Sequence, residues 1–145
     1  MEVLQIGLGW IWLIAGGLLY AGQLISTVNF PLAQRLGLQE RPDNVDPVIG
    51  QLERKAAGWD LIAIWTAPVA GLLMVWNDTL WPAASLVAGA IYLDAGGREW
   101  AKILGLRAHG VPVGSAKERA IIFGTFAFFI ITGIAGIALG LAAWV

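Results

Sequence analysis

The sequence predicts an all-α protein: a polytopic membrane four-helix bundle that forms one domain over residues 1–145. Of these 145 residues, 58% are hydrophobic and 13% are charged, whereas soluble domains carry about 25% charged residues. Four segments are long and apolar enough to cross the roughly 30 Å of hydrocarbon in a bilayer. The cationic residues lie in or beside two polar loops that alternate with these segments. A small water-soluble domain could not bury this much apolar surface.

The first predicted span runs from Val3 to Ser26. It is expected to be a retained helix rather than a signal peptide, because no basic residue precedes it. A long polar loop, residues 27–57, follows it. Near the end of this loop, Asp46-Pro47 predicts a helix N-cap with proline at the first helical position. The second span should therefore begin before the membrane, as a cytoplasmic helical extension.

The second span covers Gly58 to Trp76, and Pro68 is expected to kink it because proline has no N–H to donate. Only residues 77–79 separate it from the third span, Leu80 to Leu104. The two spans must therefore form an antiparallel hairpin. Thr79 is predicted to cap the third span.

The fourth span covers Ala120 to Trp144 and follows a short loop rich in glycine, residues 105–117. Ser115 and Glu118 have the spacing of a capping box that opens this helix. Small residues four positions apart should allow helices to approach closely. The pairs are Gly17/Ala21, Ala84/Ala88, Gly97/Ala101 and Gly136/Gly140.

All nine cationic residues lie in or beside the two polar loops. They are Arg35, Arg41, Arg54 and Lys55 for the first loop, and Arg98, Lys102, Arg107, Lys117 and Arg119 for the second. Cytoplasmic loops of membrane proteins are enriched in Lys and Arg. The sequence thus predicts both loops in the cytoplasm and both termini on the non-cytoplasmic side. A bacterial inner membrane is the favoured location and the endoplasmic reticulum the alternative.

Tryptophans near the span ends predict an aromatic belt at each membrane interface. The belts comprise Trp76, Trp81 and Trp144 on the outer side and Trp59 and Trp100 on the inner side. A helix rises about 28 Å from Trp81 to Trp100, close to the hydrocarbon thickness. The remaining tryptophans, Trp10, Trp12 and Trp65, are expected to face lipid or a neighbouring subunit.

Composition excludes several kinds of chemistry. With no Cys and one His, the chain cannot form disulfides, Fe–S sites or a bis-His haem site of its own. A net charge of −1 argues against a nucleic-acid partner, which needs a basic face. The sequence has no HExxH motif, no phosphate-binding glycine loop and no calcium-loop spacing. No metal site is predicted, and no catalytic residue is assigned.

Charged residues at membrane depth are the candidate functional residues. Asp94 lies about 9 Å inside Trp100 by helix rise, and Arg98 at i+4 is its predicted ion-pair partner. The predicted ligand-binding residues are Arg54, Asp60, Asp94, Arg98 and Lys102, which form a mixed-charge pocket near the cytoplasmic mouth. Such a pocket suits an anionic group on an otherwise apolar ligand. Two alternatives stay open: a purely structural Asp94–Arg98 pair, and a headgroup-facing turn around Arg54.

The arrangement of spans and loops resembles the MAPEG family, the membrane-associated proteins in eicosanoid and glutathione metabolism. The segment Glu53-Arg54-Lys55-Ala56-Ala57-Gly58-Trp59-Asp60-Leu61-Ile62 is similar to the family signature E-R-x-x-R-A-x-x-N with D-L-E. It keeps Glu53-Arg54 in one register, or Arg54 with Asp60-Leu61 in another, and lacks the asparagine. The resemblance implies trimers of four-helix subunits that bind glutathione or a lipid substrate at subunit interfaces toward the cytosol.

Three functions remain open at this point. In a MAPEG-like transferase, isomerase or binding protein, Arg54 and Arg98 would hold the anion of a glutathione-like or lipid-like ligand, oriented by Asp60 and Asp94. The second function is a non-catalytic accessory subunit of a larger membrane complex. The third is a small oligomeric transporter or channel that uses Asp94. The expected partners are the bilayer and either further copies, with a trimer favoured, or a larger membrane complex.

Overall fold

A computed structural model describes residues 1–39, 47–113 and 115–145, without the side chains of Pro47, Ile49 and Glu53. The predicted cap Asp46 and the cationic Arg41 lie outside the described residues. The elements are all helical: α1 (Glu2–Ile11), a π-helical segment (Trp12–Gly16), α2 (Gly17–Val28), α3 (Phe30–Arg35), α4 (Pro47–Ala63), α5 (Thr66–Val75), α6 (Trp81–Ala108) and α7 (Ala116–Ala142). The all-α prediction is confirmed.

Three helical stretches are long and apolar enough to cross a membrane: Glu2–Val28, Gly50–Val75 and Ala116–Ala142. They correspond to the first, second and fourth predicted spans, and they fit an integral membrane protein. The third predicted span corresponds to α6, which has 28 residues and is about 42 Å long. It is not among the three, because its second half carries several charged side chains.

Both chain ends lie at the same end of the molecule. Gln5 in α1 donates hydrogen bonds of 3.0 Å to the carbonyl of Met74 and to Asn77 Oδ1, after α5. Val3 and Leu139 line one groove between α1 and the last turns of α7. The turn between α5 and α6 is therefore at this end too. The opposite end carries α3, the start of α4 and the segment that joins α6 to α7.

Helices α6 and α7 run antiparallel and touch through glycines. A Cβ atom on Gly89 would lie 2.7 Å from the carbonyl oxygen of Gly133, and one on Gly140 would lie 2.9 Å from that of Pro82. The backbones are thus in direct contact, as the prediction for Gly136/Gly140 requires. Gly97 and Gly17 instead have open space where a Cβ would lie, so within one chain they make no close helix contact.

The second predicted span is interrupted just before Pro68. Helix α4 ends at Ala63 and α5 begins at Thr66, just before Pro68. Because Pro68 cannot donate to the carbonyl of Ile64, that oxygen accepts a long bond of 3.4 Å from Ala67 instead. The Thr66 hydroxyl donates to the carbonyl of Ala63 at 2.8 Å and closes the end of α4. The kink predicted from Pro68 thus appears as a helix break.

The helix caps confirm one prediction and correct another. Ser115 and Glu118 form the predicted capping box: the Ser115 N–H donates to the Glu118 carboxylate at 2.6 Å, and the Glu118 N–H donates to the Ser115 hydroxyl at 3.3 Å. The predicted cap at Thr79 is wrong. Asp78 Oδ1 accepts from the Leu80 N–H at 2.9 Å, since the carboxylate one residue earlier reaches the free donor.

The aromatic residues divide between the surface and the core. Trp59, Trp76 and Trp144 are exposed, as expected for interface belts, whereas Trp81 is buried. Trp12 is fully buried, so the expectation that it faces lipid or another subunit is wrong. Its ring is large enough to fill the space above Gly136, where the missing Cβ leaves room.

Candidate functional site

Arg98 is the centre of a group of charged side chains on α4 and α6. Its Nη2 atom lies 3.4 Å from Asp60 Oδ1 on α4, its Nη1 atom 3.9 Å from Asp94 Oδ2, and its Nε atom 3.7 Å from Glu99 Oε1. Lys102 forms an ion pair with Glu99. We call Asp60, Asp94, Arg98, Glu99 and Lys102 the charged cluster. Four of the five predicted binding residues therefore lie in one connected group.

Local helix geometry explains most of this cluster. Asp94 and Arg98 are four residues apart, and Glu99 and Lys102 are three apart, so each pair lies on neighbouring turns of one helix face. The predicted Asp94–Arg98 pair is confirmed. The contact between Arg98 and Asp60 is tertiary and joins α4 to α6. Asp60 turns toward the other helices, as expected.

Glu99 belongs to the cluster although it is not among the predicted binding residues. It bridges the two cations, because Arg98 reaches it from the adjacent position and Lys102 from one turn later. Its spacing of three residues to Lys102 was a signal available in the sequence. The flexible stems of arginine and lysine let both head groups bend toward the same carboxylate.

Asp94 lies on the outer surface of the chain, with 73% of its side chain exposed. This arrangement differs from a carboxylate enclosed among the helices of one subunit. The Arg98 side chain is about half exposed beside it. A charged side chain that faces hydrocarbon is costly. Asp94 and Arg98 thus present charges of both signs on the outer surface of α6.

Arg54 is placed differently from the other predicted residues. Its guanidinium carbon lies 4.2 Å from the centre of the Phe30 ring, in a cation–π contact between α4 and α3. The contacts that join the charged cluster do not include it. Phe30 was not a predicted site residue, since nothing in its local sequence relates it to α4.

The charge balance of the cluster decides which ligand groups it suits. Asp60, Asp94 and Glu99 supply three negative charges, and Arg98 and Lys102 supply two positive ones, which leaves a net charge of −1. Both cations already have carboxylate partners, so the site is not a simple anion pocket. It offers an exposed carboxylate to a cationic group and an exposed guanidinium to an anionic group.

His109 closes α6 at the same end of the molecule. Its Nδ1 atom lies 2.9 Å from the carbonyl oxygen of Gly105, and the side chain is exposed. Across residues 1–39, 47–113 and 115–145, no group of three or more His, Asp or Glu side chains could hold a metal ion.

Two apolar grooves lie between α7 and the N-terminal helical stretch formed by α1, the π-helical segment and α2. The groove nearer the chain ends has a volume of about 470 Å³ and is lined by Val3, Leu4, Gly7, Leu8, Ile11, Ala135, Ala138 and Leu139. The other has about 420 Å³ and is lined by Ala15, Leu18, Leu19, Ile121, Gly124, Thr125 and Phe128. Trp12, packed against Gly136, lies between them.

No protein-family model, curated protein or solved structure matches this chain.

Proposed function

We propose that this protein is a four-span integral membrane protein of MAPEG-like architecture. It assembles as a homo-oligomer, with a trimer favoured, and binds glutathione or an anionic lipid-like ligand at the cytoplasmic side of a subunit interface. The observation that carries this proposal is the outward-facing charged cluster around Arg98, in which the Asp94 side chain is 73% exposed.

The position of the chain ends supports four crossings. The N-terminal turns of α1 lie beside the last turns of α7 and beside the turn after α5. A chain whose two ends lie on one side of a membrane crosses it an even number of times. With three candidate spans, α6 is the fourth, because it runs antiparallel to α7 and is long enough to cross.

Exposed small residues beside Asp94 support the oligomer. On α6, Gly97 and Ala101 are exposed next to Asp94, and a Cβ on Gly97 would meet nothing within 4 Å. Small residues allow another helix to approach closely inside a membrane, and a neighbouring subunit can supply the polar cover that Asp94 needs. This surface is therefore the proposed contact between copies.

The ligand proposal follows from the mixed charge of the cluster. A molecule with both an ammonium group and a carboxylate or phosphate pairs the first with Asp94 and the second with Arg98 and Lys102. Glutathione carries both kinds of group, and so does an anionic lipid-like molecule that also bears an ammonium group.

Ligand binding is tested with purified protein, glutathione, and vesicles of phosphatidylglycerol or phosphatidylcholine. Arg98→Gln should weaken binding by about 10-fold or more, because a charge-assisted contact is lost. Arg107→Gln is the matched control: it removes an exposed arginine from the same helix, outside the cluster. Equal affinity of both variants and the unmodified protein would refute the ligand site.

The oligomer is tested by mass measurement in mild detergent. Gly97→Leu adds bulk where the single chain has open space, so the subunit should fold normally but lose its neighbour. Gly17→Leu adds the same bulk on α2, also into open space, and should leave the assembly intact. A monomeric unmodified protein would contradict the proposal.

The number of membrane crossings is tested by introducing single cysteines. Because the chain has no cysteine of its own, all labelling comes from the introduced residue. Glu2→Cys and Trp144→Cys should react with an impermeant maleimide from one side, and His109→Cys from the other. Labelling of Glu2→Cys and Trp144→Cys from opposite sides would mean three crossings instead.

A second candidate is an accessory subunit of a larger membrane complex. It is favoured by the ion pairing within the cluster, which occupies both cations, and by the open surface around Gly97. Here a different protein would cover Asp94. Purification in mild detergent distinguishes the two: a stable second polypeptide favours the accessory role, and a homo-oligomer favours the first proposal.

A further inference from the structure

An apolar groove on the outside of the chain lies between the N-terminal helical stretch and the loop-side part of α7. We call it the loop-side groove. One wall is formed by Ala15, Leu18 and Leu19, and the other by Ile121, Gly124, Thr125 and Phe128. Leu18 and Ile121, one on each wall, are 70% and 62% exposed. The groove therefore opens to the surroundings of the chain and not into its packed core.

The loop-side groove lies at the depth of lipid acyl chains. Both walls belong to helical stretches that are long and apolar enough to cross a membrane, Glu2–Val28 and Ala116–Ala142. By helix rise, Ile121 and Phe128 lie about 8 Å and about 18 Å beyond the start of α7. The Thr125 hydroxyl donates to the carbonyl of Ile121 at 3.0 Å, so it does not make the groove polar. The groove thus suits hydrocarbon.

The width of the groove favours hydrocarbon chains over another helix. Its volume of about 420 Å³ extends over roughly 10 Å of rise from Ile121 to Phe128, which gives a mean cross-section of about 40 Å². An α-helix with its side chains is about 10–12 Å across and needs about twice that cross-section. A helix of a second copy is therefore too wide for the groove, whereas a flexible acyl chain fits.

A lysine lies at the loop end of the groove, on the same face of α7. Lys117, Ile121, Gly124 and Phe128 follow one another at i, i+4, i+7 and i+11, which places them along one helical face. Lys117 is exposed and has no ion-pair partner among residues 1–39, 47–113 and 115–145. Long side chains on a helix point toward its N-terminus, so the ammonium group reaches the membrane surface beyond the groove.

The charge at this end of the groove is positive. Lys117, Glu118 and Arg119 give the first turn of α7 a net charge of +1, and the Glu118 carboxylate accepts from the Ser115 N–H in the capping box. The opposite wall adds no charge, because Glu2 is the only charged side chain in residues 1–34 and lies at the other end of that stretch. An anionic group is therefore favoured here.

We propose that the loop-side groove binds an anionic phospholipid such as phosphatidylglycerol. An acyl chain lies in the groove, and the headgroup phosphate pairs with the Lys117 ammonium group. A zwitterionic lipid binds less well, because its own cation meets the net positive charge of this turn. The site is separate from the charged cluster on α4 and α6, and it does not depend on the proposed function.

The test uses phosphatidylglycerol with a photoreactive diazirine in one acyl chain, added to purified protein in phosphatidylcholine nanodiscs. After illumination, peptide mapping should find crosslinks at Leu18, Leu19, Ile121 and Phe128. Unlabelled phosphatidylglycerol should compete about 5-fold better than phosphatidylcholine with the same chains, since one lysine near an anionic headgroup contributes about this factor.

Lys117→Gln should remove this preference, so that the two lipids compete equally, while the crosslinked positions stay the same. Lys55→Gln is the matched control, because it removes an exposed lysine at the same end of the molecule, on α4, and it should keep the preference. Arg98→Gln should keep it as well, which separates this site from the charged cluster.

Gly124→Leu fills the groove and should abolish crosslinking on both walls. The variant should fold, because a Cβ on Gly124 meets nothing within 4 Å. Gly7→Leu is the matched control: it adds the same bulk to the other groove, also into open space, and should leave these crosslinks unchanged.

Four results would overturn the proposal. Equal competition by both lipids in the unmodified protein would mean unselective contact with the bilayer. Full crosslinking in Gly124→Leu would mean that the acyl chain lies outside the groove. Absence of crosslinks on both walls would mean that another chain covers them. Loss of the preference in Arg98→Gln, with the preference kept in Lys117→Gln, would mean that the headgroup binds at the charged cluster.

Discussion

The two halves of this molecule are packed in different ways. The terminal half comprises α1, the π-helical segment, α5, α6 up to Tyr92, and α7 from Phe129. It contains the four largest fully buried side chains, Trp12, Met74, Ser85 and Tyr92. The loop half comprises α2, α3, α4 and the remaining parts of α6 and α7. Its buried positions are few and mostly small, such as Ser26, Ala33 and Ala57, and it contains the charged cluster.

The terminal half contains most of the packing within the chain, and the loop half offers surfaces for contact with other molecules. In the terminal half, glycines bring the backbones of α6 and α7 into contact beside the large buried side chains of Trp12 and Tyr92. In the loop half, helices α4 and α6 are joined by the contact of Arg98 with Asp60, and Asp94 and Gly97 face outward. The first half defines one packed arrangement, whereas the second leaves polar and small residues available to a neighbour or ligand.

The largest expected difference in the free energy of unfolding is between two Gly→Ala substitutions, one in each half of α6. Gly89→Ala puts a Cβ 2.7 Å from the carbonyl of Gly133, so α6 and α7 must separate. The free energy of unfolding should fall by about 3 kcal/mol. Gly105→Ala meets open space and should raise it by about 0.5 kcal/mol through helix propensity. Unfolding by SDS titration measures both, and equal losses would abolish the distinction between the halves.

A buried hydrogen bond should give the next largest effect. Ser85→Ala removes the 2.7 Å bond to the carbonyl of Gly136 in the terminal half. We expect a loss of about 1.5 kcal/mol, measured in the same titration. Thr125→Ala is the control, because the Thr125 hydroxyl bonds within its own helix on the loop half. A loss as large for Thr125→Ala would contradict the comparison.

The capping box at the start of α7 should have a smaller and local effect. Ser115→Ala removes the acceptor of the Glu118 N–H, which costs about 1 kcal/mol. Because this end of α7 has no buried residue before Thr132, the loss should appear as faster hydrogen exchange in the first turn. Faster exchange around Gly133 as well would show that the two halves unfold together.

The smallest effect on stability is expected for the charged cluster. Arg98→Gln breaks its contacts with three carboxylates, but Arg98 is half exposed, and exposed ion pairs contribute less than about 1 kcal/mol. The free energy of unfolding should fall by about 0.5 kcal/mol at low salt, and the difference should shrink as salt is added. A loss that is large and independent of salt would give the cluster a structural role.

Three of the four predicted spans and several helix ends could be predicted from the sequence because their causes are local. A run of apolar residues identifies a span whatever it packs against, and Pro68 lacks an N–H in any fold. The Ser115–Glu118 box depends on a spacing of three residues. The Asp94–Arg98 pair follows likewise from the helical repeat.

The features that the sequence did not predict depend on contacts between distant segments. Gly89 and Gly133 could not be singled out among the 19 glycines until α6 and α7 were brought together. The burial of Trp12 depends on the space above Gly136, and Arg54 meets Phe30 across two helices. Glu99 was missed for a different reason, because flexible side chains reach beyond the face that a helical wheel assigns.

The sequence by itself determined an all-helical membrane protein whose cations lie in or beside two loops, since hydrophobicity and charge along the chain act through the solvent and need no tertiary partner. Only the tertiary structure decided that Asp94 lies outside the packed core and that Tyr92 and Trp12 lie inside it without acceptors. The physical reason is that burial depends on how helices approach each other, and here backbone contacts between glycines set that approach.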